Sequence, residues 1–417
     1  MPLSNYPVYC WTYLPMKEAY PGMVKNWADL GINHPLTPII REDDDKEAVL
    51  ALLDECQEYG ISPILNIESI SGVAIYKTGR ENDWENYRRK VRRAVKDYGG
   101  HPAAFGVFVT DEPDAGDAEA SFKAARIIRD EAPEWFAYLN LLPWFDWIGE
   151  RMGTDTLANY LDRCIAQSGL SEIGYDCYTQ GRKDDTGWND YFCNLYEYMQ
   201  LKLRSGVNYN TTLLCQNHYK YECKSQADYR WQISTAAAMG AKGIGWFFPD
   251  GHTVSGDNYR EAPINQFGDR TASFGWMSDE VRIFHHQFGE LMMSLDIESA
   301  YFTEKSYGGI PVFEGDNDLT GISSENENVL LSFFKDKTGT RYLAAVNTSR
   351  GENVALSFTF AGGVRPKRKE WDGWKAFGNY TDAVGQNSAG GSEHTVCSIF
   401  SAGQLAVIRL DKQGINK

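Results

Sequence analysis

The 417-residue sequence predicts an α/β fold: a (β/α)8 barrel of the TIM type followed by a small all-β sandwich. Three observations carry that expectation. Short β-forming runs alternate with helical stretches eight times along the first part of the chain. No GxGxxG or GxxxxGK[ST] turn follows an early strand, although an open doubly wound sheet would ordinarily have one. Near Ser299 the pattern changes to short alternating runs separated by Gly, Asn and Asp turns. The expected division is a barrel over residues 1–297 and a sandwich over 298–417.

The elements follow in order. Residues 6–13 (YPVYCWTY) are rich in β-formers and end on Trp11 and Tyr13, placed to face a mouth. Residues 20–30 read as a helix stopped by Gly31, and 35–40 as the second strand. Val49, Leu52, Leu53 and Cys56 recur at helical spacing before Gly60. The third strand, 61–68, ends on Asn66 and Glu68. Tyr87, Val91, Val95 and Tyr98 mark a helix whose basic residues, Arg88 to Arg93, read as a solvated outer face rather than an anion site.

The fourth strand, 105–113 (FGVFVTDEP), ends on two carboxylates and a proline. Strands at 135–142, 172–179, 207–218 and 242–249 follow, with helices between them. The loop 250–278 is long enough for a lid or rim. A last helix carries Phe284, Phe288 and Leu291 on one face, with His285 and His286 as structural residues. In the tail, 329–334, 342–346, 354–360 and 404–410 read as strands. The acidic segment with Asp316, Asp318, Glu325 and Glu327 reads as a solvated loop rather than a calcium site.

Composition narrows the function. A formal charge of -16 argues against a nucleic-acid partner, since binding there rests on Lys and Arg contacts to phosphate. Aromatic residues make up 13% of the chain, and flat amphipathic rings suit a pocket that stacks on sugar faces. The eight cysteines contain no CxxC pair, and Cys10, Cys56, Cys164 and Cys177 fall on apolar positions, which predicts free buried thiols. Cys215, His218 and Cys223 lack a fourth ligand for zinc, so neither a metal nor another cofactor is expected. No apolar run predicts membrane insertion. No signal peptide is visible, so a secreted or periplasmic location is expected from function alone. Oligomeric state is not encoded in any pattern found.

Glu68, Asp111, Glu112 and Asp176 fall at the C-terminal ends of three predicted strands, Gln216 closes a fourth, and Trp246 lies near the end of the eighth. In a closed barrel such ends converge on one mouth. Acids with aromatics there fit glycoside hydrolysis, which needs one protonated carboxylic acid and a second negative group. Crowded carboxylates raise one another's pKa, so one keeps its proton near neutrality. Metal-assisted enolisation would want acids on three successive strands, yet the fifth ends in Asn140, Leu141 and Leu142. The plain structural alternative is that the fourth-strand acids cap a helix.

The DEP tripeptide after FGVFV, Asp-Cys-Tyr closing the sixth strand, Gln216 closing the seventh and GAKGI (240–244) opening the eighth resemble barrel glycoside hydrolases of the clan-A type. The tail is similar to the β-sandwich that follows such barrels. The resemblance implies Glu112 as general acid/base. The family has Asn where this chain has Asp111, and a glutamate nucleophile on the seventh strand where it has Gln216. Adjacent Asp-Glu also resembles hexosaminidases that work by substrate assistance. That resemblance implies Asp111 as the residue orienting the substrate's acetamido group and Trp246 as a pocket floor. A further option gives Asp176 or Glu68 the role of nucleophile or base. Tyr178, Gln216, Trp11 and Trp246, with Glu68, are the candidate sugar-binding residues. The expected partner is a carbohydrate; the alternative is a catalytically silent barrel that binds glycans.

Overall fold

The computed structural model describes residues 3–42, 46–251, 258–324, 328–378 and 393–412. Glu325, Glu327 and part of the long loop after the eighth strand lie outside them. The chain groups into two compact units, one mainly Pro7–Cys223 with Lys242–Asp279, the other mainly Lys224–Ala241 with Glu280–Lys417.

The first unit is mixed α/β. Its strands are β1 (Tyr9–Cys10), β2 (His34–Pro35), β3 (Ile64–Leu65), β4 (Gly106–Asp111), β5 (Phe136–Leu141), β6 (Glu172–Asp176), β7 (Asn208–Leu214) and β8 (Gly243–Phe247). Strands β3 to β8 form one parallel sheet in sequence order, and β1 pairs with β2 in a separate parallel ladder. Single parallel bridges join Val8 to Ile244 and Leu36 to Ile64. The first three strands are much shorter than their β-rich sequences predict. Pro7, Pro35, Pro38 and Pro63 explain part of this, because each removes a ladder donor.

Between the strands run α1 (Met23–Leu30), α2 (Lys46–Glu58), α3 (Val73–Glu81), α4 (Trp84–Tyr98), α5 (Ala118–Glu131), α6 (Gly149–Met152), α7 (Leu157–Ser168) and α8 (Asp185–Ser205). The basic residues of α4 do lie outward: Arg88 and Arg92 both pair with Glu131. Helix α3 has no counterpart in the sequence reading, where glycine and polar residues broke the apolar pattern. A cluster of Tyr9, Trp11, Leu36, Ile64, Phe108, Tyr138 and Phe248 fills the space among the strands.

In the second unit, α9 (Gln226–Ala238) is buried on almost every side and packs with the antiparallel strands. Its Trp231 indole donates to the Thr348 carbonyl at 2.9 Å. Helix α10 (Ala272–Phe284) begins in the first unit and runs through a π-helical turn at His285–Gly289 into α11 (Glu290–Ser294). His285 is buried and hydrogen-bonds Ser4 at 2.8 Å. Strands β9 (Asp296–Phe302), β10 (Leu319–Ser324), β11 (Val329–Lys335), β12 (Arg341–Asn347), β13 (Val354–Ala361), β14 (Val364–Glu370), β15 (Gly373–Ala376), β16 (Glu393–Phe400) and β17 (Leu405–Lys412) follow. They make two antiparallel sheets, ordered β15-β14-β17-β12-β11-β9 and β10-β13-β16. Leu331, Phe333, Leu343 and Ile408 of the first share one buried cluster with Leu356, Phe358, Val396 and Phe400 of the second. All eight cysteines are free.

The approach of β4 to β5 sets the register used by the site. Gly106 faces Phe136, and a Cβ there would collide with the Phe136 backbone oxygen. Gly106→Ala is therefore expected to destabilise the chain by about 1–3 kcal/mol, as overpacking does. Gly100→Ala, where a Cβ would meet nothing within 4 Å, serves as the control. Denaturant unfolding of the two variants checks this, and equal stability would contradict the packing account.

Candidate active site

The site begins with a break in β-strand alternation. Consecutive strand residues point to opposite faces, so Asp111 and Glu112 should diverge. Two irregularities prevent that. A bulge between Phe108 and Thr110 shifts β4 against β5 and leaves the Val109 carbonyl to accept from Gly72 N–H at 2.8 Å. Glu112 then adopts a left-handed backbone, φ 43°, immediately before Pro113. A non-glycine residue in that region stores roughly 1–2 kcal/mol of strain, and such strain concentrates at functional sites. The Glu112 N–H donates to the Asn140 carbonyl at 3.0 Å and holds the turn.

Asn140 is the hub. It lies opposite Asp111 in the β4–β5 register and is buried. Its Nδ2 donates to Asp111 Oδ1 and to Asp176 Oδ1, both at 2.8 Å. Those two carboxylate oxygens are thus no farther apart than twice that distance. Glu112 and Asp176 perturb one another's carboxyls. Arg151 brings a positive charge, with a guanidinium nitrogen 3.7 Å from Glu112 Oε2.

Three carboxyl groups so close cannot all ionise at ordinary values. Asp111 is exposed, yet the surrounding protein strips away much of its hydration. That desolvation, followed by the charge of Asp176, pushes its pKa up to about 7 against the pull of the Asn140 hydrogen bond. Glu112 rises to about 7, first through desolvation and then through the Asp111 charge, with Arg151 and Asp176 opposing. Asp176 is buried and is pushed well above the carboxylate range by desolvation and by Glu112, while Asn140 and the Tyr178 side chain hold it down.

Aromatic rings wall the recess. Tyr178 packs against Phe247 at 5.1 Å and His218 at 5.3 Å between ring centres. Tyr13 lies near Phe248 at 5.1 Å, and Tyr259 near His218 at 5.3 Å. Desolvation raises the Tyr13 and Tyr178 hydroxyls, and the charges of Asp111, Asp176 and Glu112 raise them further.

Of the residues singled out from sequence, Asp111, Glu112, Asp176 and Tyr178 come together here. Trp11 is buried, with its indole 3.4 Å from Thr212 Oγ1 in the apolar cluster among the strands. Trp246 is wholly buried, and it is the next residue, Phe247, that joins the aromatic wall. Glu68 lies in a short 3-10 turn, exposed, 3.5 Å from the Arg41 guanidinium. Gln216 is buried, and neither its Oε1 nor its Nε2 has a hydrogen-bond partner. Tyr13, read from the sequence as facing a mouth, joins Asp111, Glu112 and Asp176. Sequence reasoning missed Asn140, Arg151, Phe247 and Tyr259. Only Asn140 left a signal, as the polar residue standing where its neighbouring strands end in acids.

No protein-family profile matches the chain, and no curated protein matches it. Solved structures do. A β-galactosidase from Rahnella sp. R3 superposes with a TM-score of 0.53 at 12% identity, over 72% of this chain and 59% of that one. A β-galactosidase from the Antarctic haloarchaeon Halorubrum lacusprofundi gives a TM-score of 0.49 at 13% identity, over 68% and 58%. A glucosidase from Croceicoccus marinus gives 0.48 at 11% identity, over 99% and 97%. The chain thus spans under three-fifths of the length of either galactosidase. The likeness to the Rahnella enzyme is one of fold.

The raised Asp111 carboxyl has a consequence for stability. Its folded-state pKa of about 7 lies above the ordinary 3.8, so the folded chain holds this proton more tightly than the unfolded one. Its contribution is fully present below the ordinary value and is lost as pH rises through about 7. Asp111→Asn is expected to melt above wild type at pH 8, with a difference that shrinks towards pH 4. Calorimetry at both pH values checks this, and a pH-independent difference would contradict it.

Proposed function

We propose that the chain is a glycoside hydrolase whose parallel strands close into a (β/α)8 barrel, with Glu112 as general acid. The antiparallel sheets are read as a β-sandwich, with the division kept at residues 297 and 298. Strand closure is supported by the bridges from Val8 to Ile244 and from Leu36 to Ile64. The observation that carries the function is the gathering of Asp111, Glu112 and Asp176 around Asn140, inside an aromatic wall at the C-terminal ends of β4 to β6. A carboxyl that titrates near 7 is suited to protonate a leaving oxygen at neutral pH.

The reading favours substrate assistance. A retaining nucleophile and its acid stand about 5–5.5 Å apart, and an inverting pair farther. Gln216 stands where a seventh-strand acid would be. The attacking atom is then supplied by the substrate's own 2-acetamido oxygen. Asp111 orients that group and stabilises the cation it becomes. Asp176, whose carboxyl burial and Glu112 push up, and Asn140 fix Asp111 and Glu112. Arg151 limits the pKa of the acid. The buried amide of Gln216 also favours a second reading, a silent barrel that binds glycans without cleaving them.

A panel of aryl glycosides and natural oligosaccharides separates the two. Turnover is expected on 2-acetamido sugars, reduced about 10²–10⁴-fold by Glu112→Gln. The kcat/KM of the wild type is expected to fall as pH rises above about 7, when Glu112 loses its proton. Turnover undiminished in Glu112→Gln would remove Glu112 as the acid. Equal turnover of sugars lacking the acetamido group would remove substrate assistance, and binding without turnover would favour the silent barrel.

A further inference from the structure

The loop between Asn140 and Arg151 ends at the carboxyl cluster on both sides: Asn140 touches Asp111 and Asp176, and Arg151 reaches Glu112. It is firmly held. Asn194, itself wholly buried, accepts from the Trp144 N–H at 2.7 Å and donates to the Trp144 carbonyl at 3.0 Å. Ile148 is buried and bonds back to the Phe145 carbonyl at 3.0 Å. The Arg151 carbonyl accepts from the Ala115 N–H at 2.8 Å. Yet this clamped loop leaves Trp147 74% exposed.

Single exposed apolar side chains are common and need no explanation. Trp147 differs in two ways. Its ring stacks on Phe145, 5.4 Å between centres and within 6° of parallel, so one face is braced and the other is open. It also stands four residues before Arg151, within about 14 Å of it along any chain path. A short oligosaccharide extending from the acid spans such a distance.

We propose that Phe145 and Trp147 form a distal sugar-binding subsite on the leaving-group side, so that the substrate is a chain of sugars rather than a single glycoside. This rests on the reading of Glu112 as the general acid. The acid donates to the oxygen that joins the cleaved sugar to its leaving group, so the elements beside it, away from Asp111 and Asp176, border the leaving group. Arg151 contacts Glu112, and the braced Trp147 stands four residues before it in the same connection. A rigid aromatic plane offers stacking area to a sugar ring with little loss of side-chain freedom.

The test uses full-length Glu112→Gln, titrated calorimetrically with dimers to hexamers of β-1,4-linked N-acetylglucosamine, glucose, xylose and galactose. Affinity is expected to rise with length in at least one series. In Glu112→Gln/Trp147→Ala the longer members of that series should bind about tenfold more weakly, while the dimers bind as before. Trp147→Tyr, which keeps a stacking plane, should restore most of the loss and exclude misfolding. In the otherwise wild-type chain, Trp147→Ala should leave turnover of the corresponding glycosyl fluoride unchanged, because that substrate has no sugar on the leaving-group side. Long oligomers bound equally by both Glu112→Gln proteins, or no binding in any series, would overturn the proposal, as would a loss of fluoride turnover. Trp147-dependent binding without hydrolysis by the wild type would uphold the subsite and overturn only the catalytic reading.

Discussion

One side-chain amide holds the site together. Asn140 Nδ2 donates to Asp111 from the strand before it and to Asp176 from the strand after it. The Asn140 carbonyl secures the left-handed turn at Glu112. Removing that residue would leave two acids facing each other without a shared donor and a strained peptide without its anchor. The β4 bulge and the close fit of Gly106 against Phe136 serve the same end, because they fix which residue of β4 stands opposite Asn140.

The electrostatic state follows from that geometry. Desolvation disfavours all three charges, even that of the exposed Asp111, and each carboxylate disfavours the next. The cluster therefore holds protons at a pH where isolated acids have lost them. Such an arrangement opposes stability at high pH. A single partly exposed arginine tempers the repulsion without abolishing it. Tyr178, Phe247, His218 and Tyr259 pack together at these strand ends, and Phe145 stacks on Trp147 in the connection after β5.

Much of this was legible in the chain. Alternating strand and helix runs announced the parallel sheet, and the tail's alternating residues announced antiparallel sheets. FGVFVTDEP gave away Asp111 and Glu112 because an apolar strand seldom ends on two acids. Asp176 and Tyr178 followed from the same logic one strand pair later. What stayed hidden depended on direction and register. Trp246 and Phe247 are equally aromatic, and only the backbone decides which one joins the wall. Asn140 looked like a missing acid, and its value lies in the two partners that folding brings to it. Tyr259 comes from a loop and Arg151 from the short helix α6, and no apolar periodicity announces either.

The central claim is that Asp111 helps hold the Glu112 proton near neutrality. Carbon-13 NMR of carboxyl-labelled protein can follow Glu112 through its titration in wild type and in Asp111→Asn, whether or not a substrate is known. The account predicts a midpoint near 7 in wild type and a clear downward move in Asp111→Asn, where a repelling charge is gone but burial remains. A wild-type midpoint at the ordinary 4.5 for glutamate, or one that Asp111→Asn leaves in place, would contradict it.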